Sequence, residues 1–360
     1  MEKIYIAGAH SRAQTLGVYL KYLNPDLEIL AYIYDNDEHN PKSVDGIPVI
    51  KLNSGVCLDK SCPVYLGTRG IFHKSLTDTL LNLGMTDIRP VTVELDLDLR
   101  NRYLRKYFHS MGLSFVKIDD IVGEKEWSGE EVPNCIYVAK SVYDKPLDAT
   151  YRLASYEKEI QVGAALTDKR LYENIITDDT GDNISHKNKQ FCELTALYWI
   201  WKNATEDVVG LCHYRRHFTL PSGWCKAMEE KDVDVILPIP LYVTPNLGDN
   251  FRKRHDGGDL DYMLQFMREH YTDDYEHIMS FLNGNLYSPC NMFIMKKEVL
   301  NEFCQWLFPI LDAVVAHGGQ KADNYLNRYP GFLSERLMSY FFDKNRYRYS
   351  VVYADKNFLS

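Results

Sequence analysis

The most sharply patterned part of the chain is a polar segment feeding two apolar elements. After Asp182-Asn183-Ile184-Ser185-His186-Lys187-Asn188, the residues Phe191, Leu194, Leu197, Tyr198 and Trp201 recur at three-and-four spacing, which predicts a helix with one buried face. Val208 to Cys212 then reads as a short buried strand that ends in His213-Tyr214-Arg215-Arg216-His217. In open α/β sheets ligands collect beyond the carboxyl ends of strands. Two adjacent guanidiniums there offer planar forks of donors suited to phosphate or carboxylate, or else pair with acids of the framework.

Upstream, Lys3 to Ala7 reads as a strand, Ala13 to Tyr22 as a helix and Glu28 to Tyr34 as a second strand ending at Asp35, the opening of a nucleotide-binding βαβ unit. Only Gly8 survives of the glycine fingerprint, so the pattern speaks for fold more than for a bound dinucleotide. Strands at 46–50, 64–66 and 88–93 and a helix over Phe72 to Leu83 complete a Rossmann-like half-domain over residues 1–95. Its Asp35-Asn36-Asp37 and Gly46-Ile47-Pro48 resemble the N-terminal domain of sugar acetyltransferases and other bacterial polysaccharide enzymes.

Residues 95–111 interleave Arg100, Arg102, Arg105 and Lys106 with aromatic positions, a connecting helix that could also lie on an anionic bilayer. The Gly- and Pro-containing stretch 123–133 reads as a linker, so residues 96–132 are expected to join two domains. A second α/β domain, 133–360, begins with the strand Cys135 to Lys140, and the loop after a first strand is the natural nucleotide site. Gly163, followed by Ala164 and Ala165, would let a ribose or flat ring approach the backbone, or serve only to pack strand on helix. Residues 241–261 read as a long polar loop hinged at Gly257 and Gly258, Asn291 lies on a strand after a turn, and the helix from Gly331 to Phe341 carries Glu335 and Arg336 on an otherwise apolar face.

The totals narrow the classes. A chain of 360 residues is expected to form two domains, and 13% aromatic content supports packed cores. A net charge of -9 disfavours nucleic acid as a partner. The eight cysteines contain no CxxC pair and the N-terminus shows no leader pattern, so the expectation is reduced thiols, no zinc site and a cytoplasmic location. No apolar run was expected to approach the ~20 residues of a membrane span.

Residues 135–345 resemble a glycosyltransferase-like family, long labelled a domain of unknown function, from capsular and exopolysaccharide synthesis loci. The matching pieces are Gln161 to Leu166, Asp179 to Ser185, Asn188, Cys192 to Trp199, Trp201 to Asn203, Gly210, His213 to Arg216, Asn291 to Met295 and Phe332 to Arg336. The resemblance implies a GT-A-like mixed α/β nucleotide-sugar transferase domain. It also implies transfer of a sugar, galactose or galactofuranose among the candidates, from a nucleotide-sugar, with UDP the expected nucleotide. The acceptor would be a lipid-linked saccharide, with peripheral contact at the inner membrane face.

Glu335 is the expected base, with Arg336 on the diphosphate or holding Glu335, and Glu193 in reserve. Lys140, Gly163, Asp182, Asn183, Ser185, His186, Asn188, His213, Tyr214, Arg215, Arg216 and Asn291 are assigned to the nucleotide-sugar. The Asp-x-Asp that holds Mn or Mg in many GT-A enzymes is not well placed: Asp232-Val233-Asp234 precedes its strand. The leaving diphosphate is therefore expected to meet Arg215 and Arg216, with a divalent ion on Asp182 or His213 left open. The competing reading is a nucleotide or NAD(P) sensor, or an oxidoreductase, built on the N-terminal unit, with a second domain that binds saccharide without turnover.

Overall fold

The computed structural model describes residues 2–53, 55–127, 129–148 and 150–359. The chain divides into two compact units, Met1–Phe115 and Val116–Ser360. Of the stretch 96–132 expected to connect two domains, the long helix that ends at Ser110 belongs to the first unit, and residues from 116 onward, a short helix over Ile118–Val122 among them, to the second.

The first unit contains β1 (Lys3–Ala7), α1 (Ser11–Leu23), β2 (Glu28–Tyr34), β3 (Ser43–Val44), β4 (Ile47–Lys51), β5 (Val64–Leu66), α2 (His73–Asn82), β6 (Ile88–Pro90) and α3 (Val93–Ser110). Its sheet runs β3-β4-β2-β1-β5-β6 and is parallel except at the β3–β4 hairpin. Gly8 turns the chain from β1 into α1 at φ 105°, where a Cβ would also sit 3.0 Å from Thr68. Asp35, the candidate ribose ligand, accepts a hydrogen bond from Thr79 at 3.2 Å. Tyr103 of α3 lies 4.8 Å from Tyr19 and 4.9 Å from Tyr22 of α1, so the aromatic face of the basic helix is spent on its own unit.

The second unit begins with α4 (Ile118–Val122), β7 (Asn134–Lys140), β8 (Glu157–Gln161), β9 (Ile176–Thr177), α5 (Asn188–Phe191), α6 (Leu194–Asn203), β10 (Val208–His213), β11 (Arg216–Thr219), α7 (Trp224–Glu230) and β12 (Val235–Pro238). It continues with β13 (Leu241–Tyr242), α8 (Leu247–Arg254), α9 (Gly257–His270), α10 (Thr272–Leu282), β14 (Leu286–Tyr287), β15 (Phe293–Lys296), α11 (Lys297–Gly318), α12 (Tyr329–Lys344) and β16 (Val351–Phe358). The main sheet is mixed, ordered β11-β16-β12-β15-β10-β7-β8-β9. The period-two alternation of β10 divides its side chains: Val209 and Leu211 enter the core under α6 and α9 to α12, while Val208 and Cys212 enter the smaller core under α4 and α7.

Three expectations change. The polar stretch 241–261 forms α8 and the start of α9, because Asn246 and Asp256 cap the two helices with bonds to Asp249 N at 2.7 Å and Gly258 N at 3.0 Å. In the expected linker, Trp127 packs on the smaller core and donates to the Val122 carbonyl at 3.0 Å. The helix α11 is 22 residues long and apolar enough by composition to cross a membrane, against the expectation that no run approached that length. Here its buried face, from Val299 to Val314, fills the main core, and Leu307 and Leu311 are fully covered.

Candidate functional site

The site grows from the end of β10. Gly210 lets β15 lie close, since a Cβ there would stand 2.9 Å from the Phe293 carbonyl. Beyond it the chain folds back, pairing His213 with Arg216 across the β10–β11 turn. That pairing sends His213 and Arg216 into one cavity and Tyr214 into another.

The first cavity, about 230 Å³, is walled by Cys192 and Glu193 before α6, His213, Arg216, Cys290 before β15, and Arg328, Gly331, Phe332 and Glu335 around the start of α12. The backbone is strained at three positions here: Cys192 (φ 49°), Cys290 (φ 78°) and Asn291 (φ 50°) occupy the left-handed region without being glycine. Each such residue costs about 1–3 kcal/mol and persists only where its surroundings over-determine it. The surroundings are visible. Asn188 donates to the Cys192 carbonyl at 2.8 Å, His213 Nε2 donates to the Cys290 carbonyl at 2.5 Å, and the Cys290 amide donates to Glu335 Oε1 at 2.8 Å. The turn at Cys290 thus aims one backbone group at each of two ionisable side chains.

Burial pushes the Glu335 carboxyl above the usual carboxylate range, and Glu193 adds to the push, against Arg336 and the Cys290 amide. Arg336 Nη1 meets Glu335 Oε2 at 2.8 Å while its guanidinium lies 4.4 Å from the ring centre of Tyr287. Burial lowers the His213 pKa, so the imidazole is neutral at pH 7 and its Nε2 carries the proton given to Cys290. Glu193 accepts from Asn291 Nδ2 at 2.8 Å, and Asn291 also donates to the Gly331 carbonyl at 3.0 Å. Arg328 Nε reaches Cys192 Sγ at 3.0 Å, where burial holds the thiol up at about 11 and therefore protonated. Arg216 makes no ion pair or hydrogen bond through its guanidinium among the described residues, and rests 5.4 Å from the ring centre of Phe358.

The second cavity, about 350 Å³, lies past the carboxyl ends of β7 and β8 and is lined by Lys140, Ser141, Asp144, Tyr151, Leu171, Tyr214 and His217 among others. Lys140 pairs with Glu159 at 2.8 Å. Asp144 accepts from the Ser141 amide at 2.6 Å, and burial raises its pKa. This is the loop after the first strand of the unit, where a doubly wound sheet offers room for a nucleotide.

Of the residues assigned from sequence, His213, Arg216 and Glu335 line the first cavity, with Asn291 and Arg336 directly behind its walls, and Lys140 and Tyr214 line the second. Others are consumed internally. The fully buried Asp178 accepts from the amides of Gly163 (2.8 Å) and Ala164 (3.0 Å) and from the hydroxyls of Ser185 (2.5 Å) and Thr195 (2.6 Å). Gly163 is left-handed (φ 68°) and faces Asn188, which would stand 2.6 Å from its Cβ. Gly163, Ser185 and Asn188 therefore hold the loop before α6 together and line neither cavity.

Asp182 accepts from Tyr198 at 3.1 Å, Asn183 donates to the carbonyls of Asp179 and Gly181, and His186 is exposed, all three away from both cavities. Arg215 donates to the Leu359 carbonyl at 3.2 Å and lines neither cavity, which leaves Arg216 as the cation of the tip. Arg328 was not singled out from sequence, and Phe332 only within the matching piece Phe332 to Arg336, without a role. The signal was the spacing 328, 332, 335, one helical face around the start of α12.

Among the described residues, the carboxylates that line the two cavities already have partners: Glu193 takes Asn291, Glu335 takes Arg336 and the Cys290 amide, Glu159 takes Lys140, and Asp144 takes the Ser141 amide. Asp232 and Asp234 both take Lys296, at 2.6 and 2.7 Å. Glu157, Cys212 and His217 cluster within 4.8 Å, but Glu157 already accepts from His217 at 2.7 Å, the Ala154 amide at 2.9 Å and Tyr151 at 3.3 Å, and burial holds the Cys212 thiol protonated. A thiol and an imidazole are also poor partners for the Mg or Mn that bridges a diphosphate.

The fold and cavities define an α/β protein with a Rossmann-like unit followed by a GT-A-like unit, its polar site at the carboxyl end of the central strands. The chain belongs to the family described as domain of unknown function DUF4422, whose model matches residues 142–346, more than half of its length and all of the first cavity. A solved structure similar to it is that of the apo bifunctional glycosyltransferase WbbM, at 26% identity and a TM-score of 0.54, over 63% of this chain and 45% of that one. The match therefore spans less than half of WbbM. No curated protein matches.

Proposed function

We propose that the protein is a glycosyltransferase that moves a sugar from a nucleotide-sugar to a saccharide hydroxyl. The observation that carries this is the first cavity, where a carboxyl of raised proton affinity, Glu335, shares a space with Arg216 and Arg328 in a fold shared with a glycosyltransferase. Glycosyl transfer needs a base for the acceptor hydroxyl and positive charge for the departing diphosphate. Glu335 takes the acceptor proton. Arg336 and the Cys290 amide fix the orientation of its two oxygens.

Arg216 and Arg328 receive the charge that builds on the diphosphate, and neutral His213 fixes the Cys290 turn. The second cavity, with Tyr214 and Lys140, takes the nucleotide. The finer reading rests on the sequence motifs: a UDP-sugar donor, galactose or galactofuranose as the sugar, and a lipid-linked saccharide acceptor in capsular or exopolysaccharide synthesis at the cytoplasmic face of the membrane. Incubation with a panel of nucleotide-sugars of several bases, UDP-sugars first, read by release of the nucleotide, tests the activity. Release from at least one donor is the expected result, and none from any donor contradicts the proposal.

A further inference from the structure

Four rings form a continuous file from the core to the rim of the first cavity. Phe251, fully buried on α8, lies 4.7 Å from His255; His255 stacks on Phe332 at 4.0 Å with 20° between planes; and Phe332 meets Tyr325 at 5.0 Å. The inner end is sealed and the outer end is open, since Tyr325 is 49% exposed. Phe332 is the link, because it also walls the cavity one helical turn before Glu335.

A single exposed aromatic is ordinary on a protein surface, but Tyr325 stands at the open end of a ring file that reaches the cavity wall through Phe332. The turn that carries it is fixed in advance, as Asp323 accepts from the amides of Tyr325 and Leu326, both at 2.8 Å. His255 contributes as a flat, uncharged ring: burial and the nearby Arg336 and Arg254 depress its pKa to about 4. Arg328, between this file and the cavity, spends its Nε on Cys192 and keeps its two Nη groups without a hydrogen bond among the described residues.

An apolar ring face flanked by a cation and a carboxylate matches one ligand class, the pyranose. Its C–H face is apolar and slightly positive and suits the negative face of an aromatic ring, while its rim of hydroxyls suits guanidinium and carboxylate. We infer that Tyr325 and Phe332 form the subsite for the acceptor sugar, which stacks on these two rings with its reacting hydroxyl toward Glu335, while Arg328 stands between this subsite and the diphosphate. This rests on the transferase reading for its role but not for its chemistry.

The test is saturation-transfer NMR with methyl glycosides of glucose, galactose, mannose, N-acetylglucosamine and rhamnose, in the presence of UDP. At least one glycoside should receive saturation from the wild-type protein. Tyr325→Ala should weaken that signal about threefold or more, as expected for a lost aromatic stack, Tyr325→Phe should retain it, and both should melt as the wild type does, since the ring is half exposed. No signal from any glycoside, or an equal signal from Tyr325→Ala, overturns the inference. Nucleotide release from the panel of nucleotide-sugars, measured on the same samples, separates the two ideas: a Tyr325-dependent signal without release from any donor keeps the saccharide site and removes the transferase reading.

Discussion

Arg336 and Glu335 are consecutive on α12, yet Nη1 of the first meets Oε2 of the second at 2.8 Å. Adjacent helical residues point about 100° apart, so this contact requires both side chains to bend toward each other. What bends them is the lack of any alternative. Arg336 is 2% exposed and stacked on Tyr287, and among the described residues it is bonded otherwise only to the Phe332 carbonyl at 3.2 Å, its Nε unpaired. Removing one member of a buried pair leaves an uncompensated charge and costs about 3–5 kcal/mol. Arg336→Ala should therefore lower the free energy of unfolding by an amount in that range, measured by urea titration followed by circular dichroism. A change under about 1 kcal/mol, the size of a surface effect, would show the pair to be solvated.

The two arginines of the β10–β11 tip are expected to differ. Arg216 opens into the first cavity with Arg328, whereas Arg215 is bound to the Leu359 carbonyl. A hydrogen bond to a charged group contributes about 1.5–3 kcal/mol, so Arg216→Ala and Arg328→Ala should each lower kcat/KM for the donor about tenfold to a hundredfold. Arg215→Ala should stay near the wild type. Steady-state UDP release decides it.

Asp178 anchors the loop before α6 through four short bonds while fully buried. Asp178→Asn replaces one acceptor oxygen by an amide that faces donors, and leaving buried donors unmet costs about 1–3 kcal/mol each. Thermal unfolding should show a clear loss of stability. Gly163→Ala should behave likewise, because its left-handed φ and the 2.6 Å approach of Asn188 leave no room for a methyl. If either variant kept its stability but lost donor binding, these residues would be ligand contacts after all.

This network marks where the sequence could and could not be read. The helix of 194–203 and the strand ending at His213 were legible because hydrophobic periodicity reports burial directly. Glu335 was legible because a carboxylate on an apolar helical face needs an explanation. The polar run 182–188 was not, since Ser, Asn and Asp side chains satisfy a ligand or their own backbone equally well, and only Asp178, Tyr198 and Asn203 arriving from elsewhere decide between them. The turn at Cys290 was illegible for a related reason. A cysteine does not announce a positive φ, and the side chains that hold it there, His213 and Glu335, lie 77 and 45 residues away.

His255 gives the protein an acid sensitivity of definite sign. Its folded pKa, about 4, lies below the ordinary imidazole value of 6.5, so the unfolded chain binds the extra proton first. The stability it supports is complete above pH 6.5 and declines as pH falls toward 4. His255→Phe, which keeps a ring against Phe332, should lose less stability than the wild type over that window, measured as the difference in melting temperature at matched pH. Parallel curves would contradict the assignment.

In the proposed reaction the carboxyl of Glu335 accepts the acceptor proton beside the arginines that take up the diphosphate. The most direct measurement is UDP release by Glu335→Gln with whichever UDP-sugar the wild type uses, alongside UDP binding by calorimetry and the same pair of measurements on Glu193→Gln. Loss of a general base costs about a hundredfold to ten-thousandfold in rate. Glu335→Gln should bind UDP as the wild type does while its turnover falls by at least the lower figure, and Glu193→Gln should retain more. Turnover by Glu335→Gln close to the wild-type rate would contradict it.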